Sequence, residues 1–168
     1  MAYAENTSVP IEKSLSEIVS LIKRAGAVRV AQMEEPDNIA VEFFLNERRL
    51  RFRVPLPILE QMPKADGRGS MLSSRQRSDR LAAACRQRAR ALLLVIKAKL
   101  ESVESKVETF DEAFLSNIVM PGANTTVFEQ ISEPLRIGYS TGIIYLTPRD
   151  IRGRYLLMER IRRTLTRR

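Results

Sequence analysis

The sequence predicts an α+β protein, with a three-stranded antiparallel sheet packed on a long central helix and additional C-terminal helices. Three observations lead there. The chain opens with an apolar stripe at helical spacing. Three segments alternating with period two follow between residues 27 and 54, and a helix-compatible run then extends from about 75 to 107. The length of 168 residues suits one core domain over 1–147 followed by a basic C-terminal helix over 148–168.

Ile11, Leu15, Ile18, Ile22 and Ala25 form the stripe of a first helix from about Val9 to Ala25. Pro10 suits its first turn, where a missing N–H is no loss, and Gly26 is placed for a left-handed cap. The first strand, about 27–33, alternates Val28 and Val30 with Arg29, and Glu34 to Asn38 make a polar turn. The second, about 39–45, sets Ile39, Val41, Phe43 and Leu45 on one face. The third, about 48–54, sets Leu50, Phe52 and Val54 on one face and Arg49, Arg51 and Arg53 on the other.

A tight turn at Asn46-Glu47 pairs Phe43 with Leu50, Val41 with Phe52 and Ile39 with Val54. The opposite face then pairs Phe44 with Arg49, Glu42 with Arg51 and Ala40 with Arg53, so one register satisfies both faces. Glu47 suits a type I′ turn poorly, which points to a longer loop. Pro55 and Pro57 end the strand.

Residues 60–75 are rich in Gly, Pro and Ser and are expected to be a mobile loop. The long helix after it has an apolar middle, Ala91 to Ile96, expected to be buried all round as the spine of the fold. Its first half is basic and its last turns acidic, an order that opposes the helix macrodipole and calls for compensation from outside. Thr109 with Glu112 is a capping box for a short helix to about Met120, with Phe110, Phe114 and Ile118 on one side. Thr126 with Glu129 opens another, which Pro134 is expected to kink. Residues 143–146 are a candidate strand. The last helix follows Pro148, with Ile151, Tyr155, Met158, Ile161 and Leu165 on its apolar side.

Composition removes several function classes. There is no histidine and a single cysteine, Cys85, so Ser-His-Asp and Cys-His catalysis, Cys/His zinc sites and internal disulfides are all excluded. Cys85 beside Ala82 to Ala84 reads as a small buried hydrophobe. No apolar run approaches the ~18 residues of a membrane span. The opening Met1 to Glu5 lacks the basic and apolar regions of a secretory leader, and the expected compartment is a reducing cytoplasm.

The net charge of +8 is segregated. Residues 64–99 carry ten lysines and arginines against Asp66 and Asp79, a net of +8. Residues 149–168 carry eight arginines against two acids, a net of +6, whereas 100–133 carry seven acids against Lys106, a net of −6. Such fields speed encounter with polyanions.

Three arginine groups are therefore candidates for nucleic-acid contact. On the sheet, Arg49, Arg51 and Arg53, with Phe44 beside them and Arg29 on the neighbouring strand, suit a surface that follows phosphates and stacks bases. The plainer meaning is a solvated sheet face with Arg51 paired to Glu42. On the long helix, Arg75, Arg77, Arg80, Arg86, Arg88 and Arg90 offer planar forks to phosphate oxygens, and Arg86 and Arg90 share a face. On the last helix Arg152, Arg160, Arg163 and Arg167 face away from the apolar side, ready for a polyanion or for the chain's own acidic segment. The acidic group Glu101, Glu104, Glu108, Asp111 and Glu112 places several carboxylates on adjacent faces, for which solvated charge is the commoner meaning. The helix–three strands–helix order is that of one nuclease core, but Glu47-Arg48-Arg49 stands where a catalytic lysine is wanted. No catalytic residue, cofactor or metal is expected.

Several segments carry a resemblance: Tyr3 to Ser14, Arg48 to Pro57, Ala91 to Lys99, and Phe110 to Leu115 with Ile118 to Pro121. In that order, over roughly residues 3–122, they resemble an uncharacterised family of small proteins encoded by phages and prophages; the arginine-rich last helix lies outside the pattern. The resemblance implies a phage or mobile-element origin and a bacterial host cytoplasm, and it supplies no catalytic residues. With the arginine surfaces it leads to an expected non-enzymatic, nucleic-acid-binding accessory protein of replication, recombination or gene control. The alternative is a phage protein that binds and inhibits a host enzyme or defence complex; self-assembly into a homo-oligomer is a third possibility. The order of three strands and a long helix is also similar to that of single-strand annealing proteins, as fold alone.

Overall fold

A computed structural model describes residues 3–4, 7–35 and 37–141. The chain falls into two compact units, dividing between Leu115 and Ser116. The first contains helix α1 (Ile11–Arg24), strands β1 (Val28–Glu35), β2 (Asn38–Leu45) and β3 (Arg48–Pro55), helix α2 (Ser74–Glu104) and the short helix α3 (Phe110–Phe114). The second contains α4 (Val127–Thr141). The expected α+β architecture is present.

Helix α1 begins after Pro10, whose fixed φ of −58° suits the flanking position, and buries Leu15, Ile18 and Ile22 along one stripe. It ends on Gly26 at φ +94°, where the Gly26 and Ala27 amides donate to the Lys23 and Ile22 carbonyls. That is a Schellman cap, and it requires the left-handed residue that glycine supplies.

The sheet order is β1-β2-β3, antiparallel throughout. The β2–β3 register pairs Phe43 with Leu50, Val41 with Phe52 and Ile39 with Val54, as the two-face argument requires. The turn differs from expectation. Asn46 and Glu47 both hold positive φ, 47° and 59°, so the loop is the two-residue type I′ turn in spite of Glu47. Strand β1 also departs from simple alternation: its pairing with β2 slips between Val28 and Ala31, and Arg29 in that slip has φ +51°. This bulge turns Val28 outward, 59% exposed, where alternation had placed it beside Val30.

The core of the first unit is built from Leu15, Ile18 and Ile22 of α1, the β2 and β3 side chains Ile39, Val41, Phe43, Leu50 and Phe52, Ala89, Leu92 and Ile96 of α2, and Phe114. Phe43 and Phe52 lie parallel at 6.1 Å, and Phe52 meets Phe114 edge-on at 6.3 Å. The α2 middle is not buried all round. Leu92 and Ile96 face the core, while Leu94 and Val95 are 40% and 45% exposed, because α1, β3 and α3 cover only one side of the helix. Nor does α2 reach 107. It closes with Lys106 at φ +61° and the Val107 amide on the Ser102 carbonyl, a Schellman cap that uses lysine where glycine is the usual signal.

The segment expected to be a loop over 60–75 holds a turn of 3-10 helix at Leu59–Gln61 and a bridge between Ala65 and Met71. Thr109 and Glu112 form their capping box, but α3 stops at Phe114 short of the expected Met120. In the second unit Val119 pairs with Thr126, and the Thr126–Glu129 box opens α4, which contains Pro134. The expected strand at 143–146 and the last helix lie outside the described residues.

The two sides of α2 are separable by experiment. Ile96→Ala is expected to destabilise the protein by about 2–5 kcal/mol and Leu94→Ala by less than about 1 kcal/mol, measured by denaturant unfolding.

Candidate nucleic-acid interface

The arginines of the sheet are held by one carboxylate. Glu42 on β2 accepts from Arg49 Nε at 2.7 Å and from Arg51 Nη2 at 2.8 Å, the cross-strand geometry set by the β2–β3 register. Arg51 is buried at 7% exposure, so its charge is committed to Glu42. Burial pushes the Glu42 carboxyl up, but the hydrogen bonds and charges of Arg49 and Arg51 outweigh it and leave the group below its usual value. Arg53 is exposed, and Arg48 pairs with Asp111 at 3.3 Å. Across the sheet the Arg29 guanidinium sits over the Phe44 ring, 5.4 Å from its centroid.

The arginines of α2 are held differently. Two rows flank its buried stripe of Ala89, Leu92 and Ile96. On one side Arg77 Nη2 donates to the Leu59 carbonyl at 2.7 Å and Arg88 Nη1 donates to the Pro55 carbonyl. On the other, Arg86 Nε donates to the Thr7 carbonyl at 3.3 Å and Arg90 pairs with Glu17 at 2.6 Å. Arg86 and Arg90 do share a face, as their spacing demands, but what they meet there is α1 and the segment before it. Among the described residues, only Arg90 of these four has a carboxylate partner. The other three are fixed by neutral acceptors and keep their charge.

Arg75 and Arg80 are exposed at the start of α2 and make no side-chain hydrogen bond or ion pair among the described residues, although the Arg80 charge is felt by Asp66. The helix is closed there by Ser73 and Gln76, a neutral capping box, and no acid occupies the first turn. Cations next to the positive end of a macrodipole destabilise a helix, and together they make a focus for anions. Two further cations come from the preceding loop, which was expected only to be mobile. Asp66 Oδ1 accepts from the Arg68 and Ser70 amides at 2.9 Å each, and the Asp66 amide donates to the Ser70 carbonyl. The Arg68 and Ser70 amides hold the Asp66 carboxyl below its usual value. This turn presents Lys64 and Arg68, both exposed and without side-chain partners among the described residues. Their part in the site was not read from the sequence, although Asp66-Gly67-Arg68-Gly69 is an Asx-turn signature.

The structure thus leaves Lys64 and Arg68 exposed on the loop and Arg75 and Arg80 exposed in the first turns of α2, while the Arg49–Glu42–Arg51 group lies on the sheet. Arg152, Arg160, Arg163 and Arg167 lie outside the described residues. Cys85 is half-buried where its neighbours led to the expectation of a buried hydrophobe, and burial pushes its thiol up against the opposing pull of Arg88 and Arg86. Among the described residues no three acidic or thiol groups converge as metal ligands, and no helix is long and apolar enough to cross a membrane. No family model, curated protein or solved structure matches the chain.

Glu42→Gln is expected to lower stability by about 3 kcal/mol at pH 7, because it removes the carboxylate charge paired with the buried Arg51. Since the folded Glu42 value is depressed, the contribution is present above the unfolded value and lost as pH falls through the folded one. The gap between wild type and variant in thermal unfolding therefore closes as the pH drops below the ordinary glutamate range.

Proposed function

We propose that this chain is a nucleic-acid-binding accessory protein of a phage or prophage, acting without catalysis in replication, recombination or gene control. One observation supports this above the others: along α2, guanidinium groups are positioned by backbone carbonyls, so the basic segment is ordered without being neutralised. An ordered, uncompensated row of arginines beside a helix N-terminus suits phosphate oxygens. Contacts of this kind fix position and strength, and carry little sequence information. On this reading Lys64, Arg68, Arg75 and Arg80 make direct phosphate contacts, while the tethered Arg77, Arg86 and Arg88 supply field. The sheet pair Arg49 and Arg51 contributes less, because Glu42 offsets much of its charge.

The rival, a protein that inhibits a host enzyme or defence complex, is favoured by a different feature. Leu94 and Val95 leave an apolar patch on the outer side of α2.

Binding of labelled single- and double-stranded DNA and RNA between 50 and 200 mM salt separates the two. The proposal expects a steep fall in affinity with salt. It further expects that replacing Lys64, Arg68, Arg75 and Arg80 together by Gln lowers the slope of log affinity against log salt by about three. Salt-insensitive or absent binding, with a host protein recovered in its place, favours the rival.

A further inference from the structure

Backbone strain in the described residues gathers at one cavity. Five non-glycine residues there have positive φ, and three of them, Arg29, Asn46 and Glu47, line a single cavity of about 410 Å³ together with Gly26, Val28, Phe44 and Leu45. Asn46 and Gly26 have ordinary reasons for their conformations, the hairpin turn and the helix cap. Glu47 shares the turn with Asn46, and Arg29 makes the β1 bulge, but both are positions that glycine serves at less cost. A turn of this type is better served by glycine at Glu47, and a strand does not need Arg29 in the left-handed region at all. Strain kept where a relaxed residue would serve is a signature of function.

The chemistry on the walls is specific. The bulge turns Val28 outward and swings the Arg29 guanidinium over the Phe44 ring, so a planar cation and an aromatic face stand together at the cavity. Such surfaces stack nucleobases. The volume lies near the small end of the ~300–1,000 Å³ range of ligand pockets, suited to one base and its sugar. Besides Arg29, the polar residues of the lining are Asn46 and Glu47.

We infer that this cavity binds one unpaired nucleobase of a single strand, stacked against Arg29 and Phe44, and that Glu47 selects guanine. On its Watson–Crick edge guanine alone presents two adjacent N–H donors, which match the two oxygens of a carboxylate. Adenine, cytosine and uracil or thymine each set an acceptor beside their donor there, and a carboxylate repels it. The edge must be free, so the strand must be single. This site rests on the nucleic-acid reading above and adds base preference to phosphate contact. It also accounts for Glu47 in a turn that prefers glycine.

The test is fluorescence anisotropy with a labelled eight-nucleotide oligothymidine and the same oligomer carrying one central guanine. The guanine oligomer is expected to bind about tenfold more tightly. Glu47→Gln should abolish that preference without weakening the binding of oligothymidine, since it removes a negative charge, and Glu47→Gly should abolish it while raising the melting temperature. Phe44→Leu should weaken the guanine oligomer by roughly five- to a hundredfold, the range of a lost base stack. Equal affinity for the two oligomers, or a preference that survives Glu47→Gln, overturns the base site and leaves the phosphate reading standing. Binding of neither oligomer overturns the base site; salt-dependent binding of duplex under the same conditions then decides whether the phosphate reading survives.

Discussion

A guanidinium can be held in place by a carboxylate, which cancels its charge, or by a backbone carbonyl, which does not. This fold uses both, in different places, and its electrostatic character depends on where each is used. On the sheet, Glu42 sits between Arg49 and Arg51 and reduces a row of cations to a nearly closed group. On α2, Arg77, Arg86 and Arg88 reach past the edges of the buried stripe to carbonyls of Leu59, Thr7 and Pro55. Their charged ends fasten the neighbouring segments to the helix. Arg77 Nε is buried there without a partner, a local cost of that arrangement.

The β2–β3 hairpin connects the core to the surface. Its register places Phe43 and Phe52 in the interior and, by the same alternation, Glu42 opposite Arg51. A slip of one residue would turn both sets over together, so the aromatic core and the ion pair specify the same alignment. The two-residue turn at one end of this hairpin brings Asn46 and Glu47 beside the β1 bulge, where Arg29 and Phe44 meet. Rigid pairing along the strands thus supports strained residues at the end.

Much of this was legible in the sequence, where local signals agreed with burial. The apolar stripe of α1, the glycine after it, both faces of the hairpin and both capping boxes follow from residue type and spacing. Three of the misreadings share one cause: a conformation usually marked by glycine is taken by another residue. Lys106 ends α2, Glu47 closes the hairpin and Arg29 makes the bulge, all with positive φ and none with a sequence signal. The one-sided burial of Leu92 and Ile96 was hidden for a different reason, since periodicity cannot say how many neighbours a helix will have. Within the candidate interface the arginines were visible, but their division between carbonyl and carboxylate partners depends on tertiary contacts, Thr7 with Arg86 above all, that no spacing encodes.

The role of those partners can be observed directly in solution. Nitrogen-resolved NMR of the arginine Nε–H groups, followed during addition of single-stranded oligonucleotide, reports each guanidinium by itself. Large shifts at Arg75 and Arg80 with Arg51 and Arg90 unmoved are the expected result, because Arg51 and Arg90 are held in carboxylate ion pairs and, among the described residues, Arg75 and Arg80 are not. Shifts confined to Arg51 and Arg90, or no response from any arginine of α2, would contradict the account.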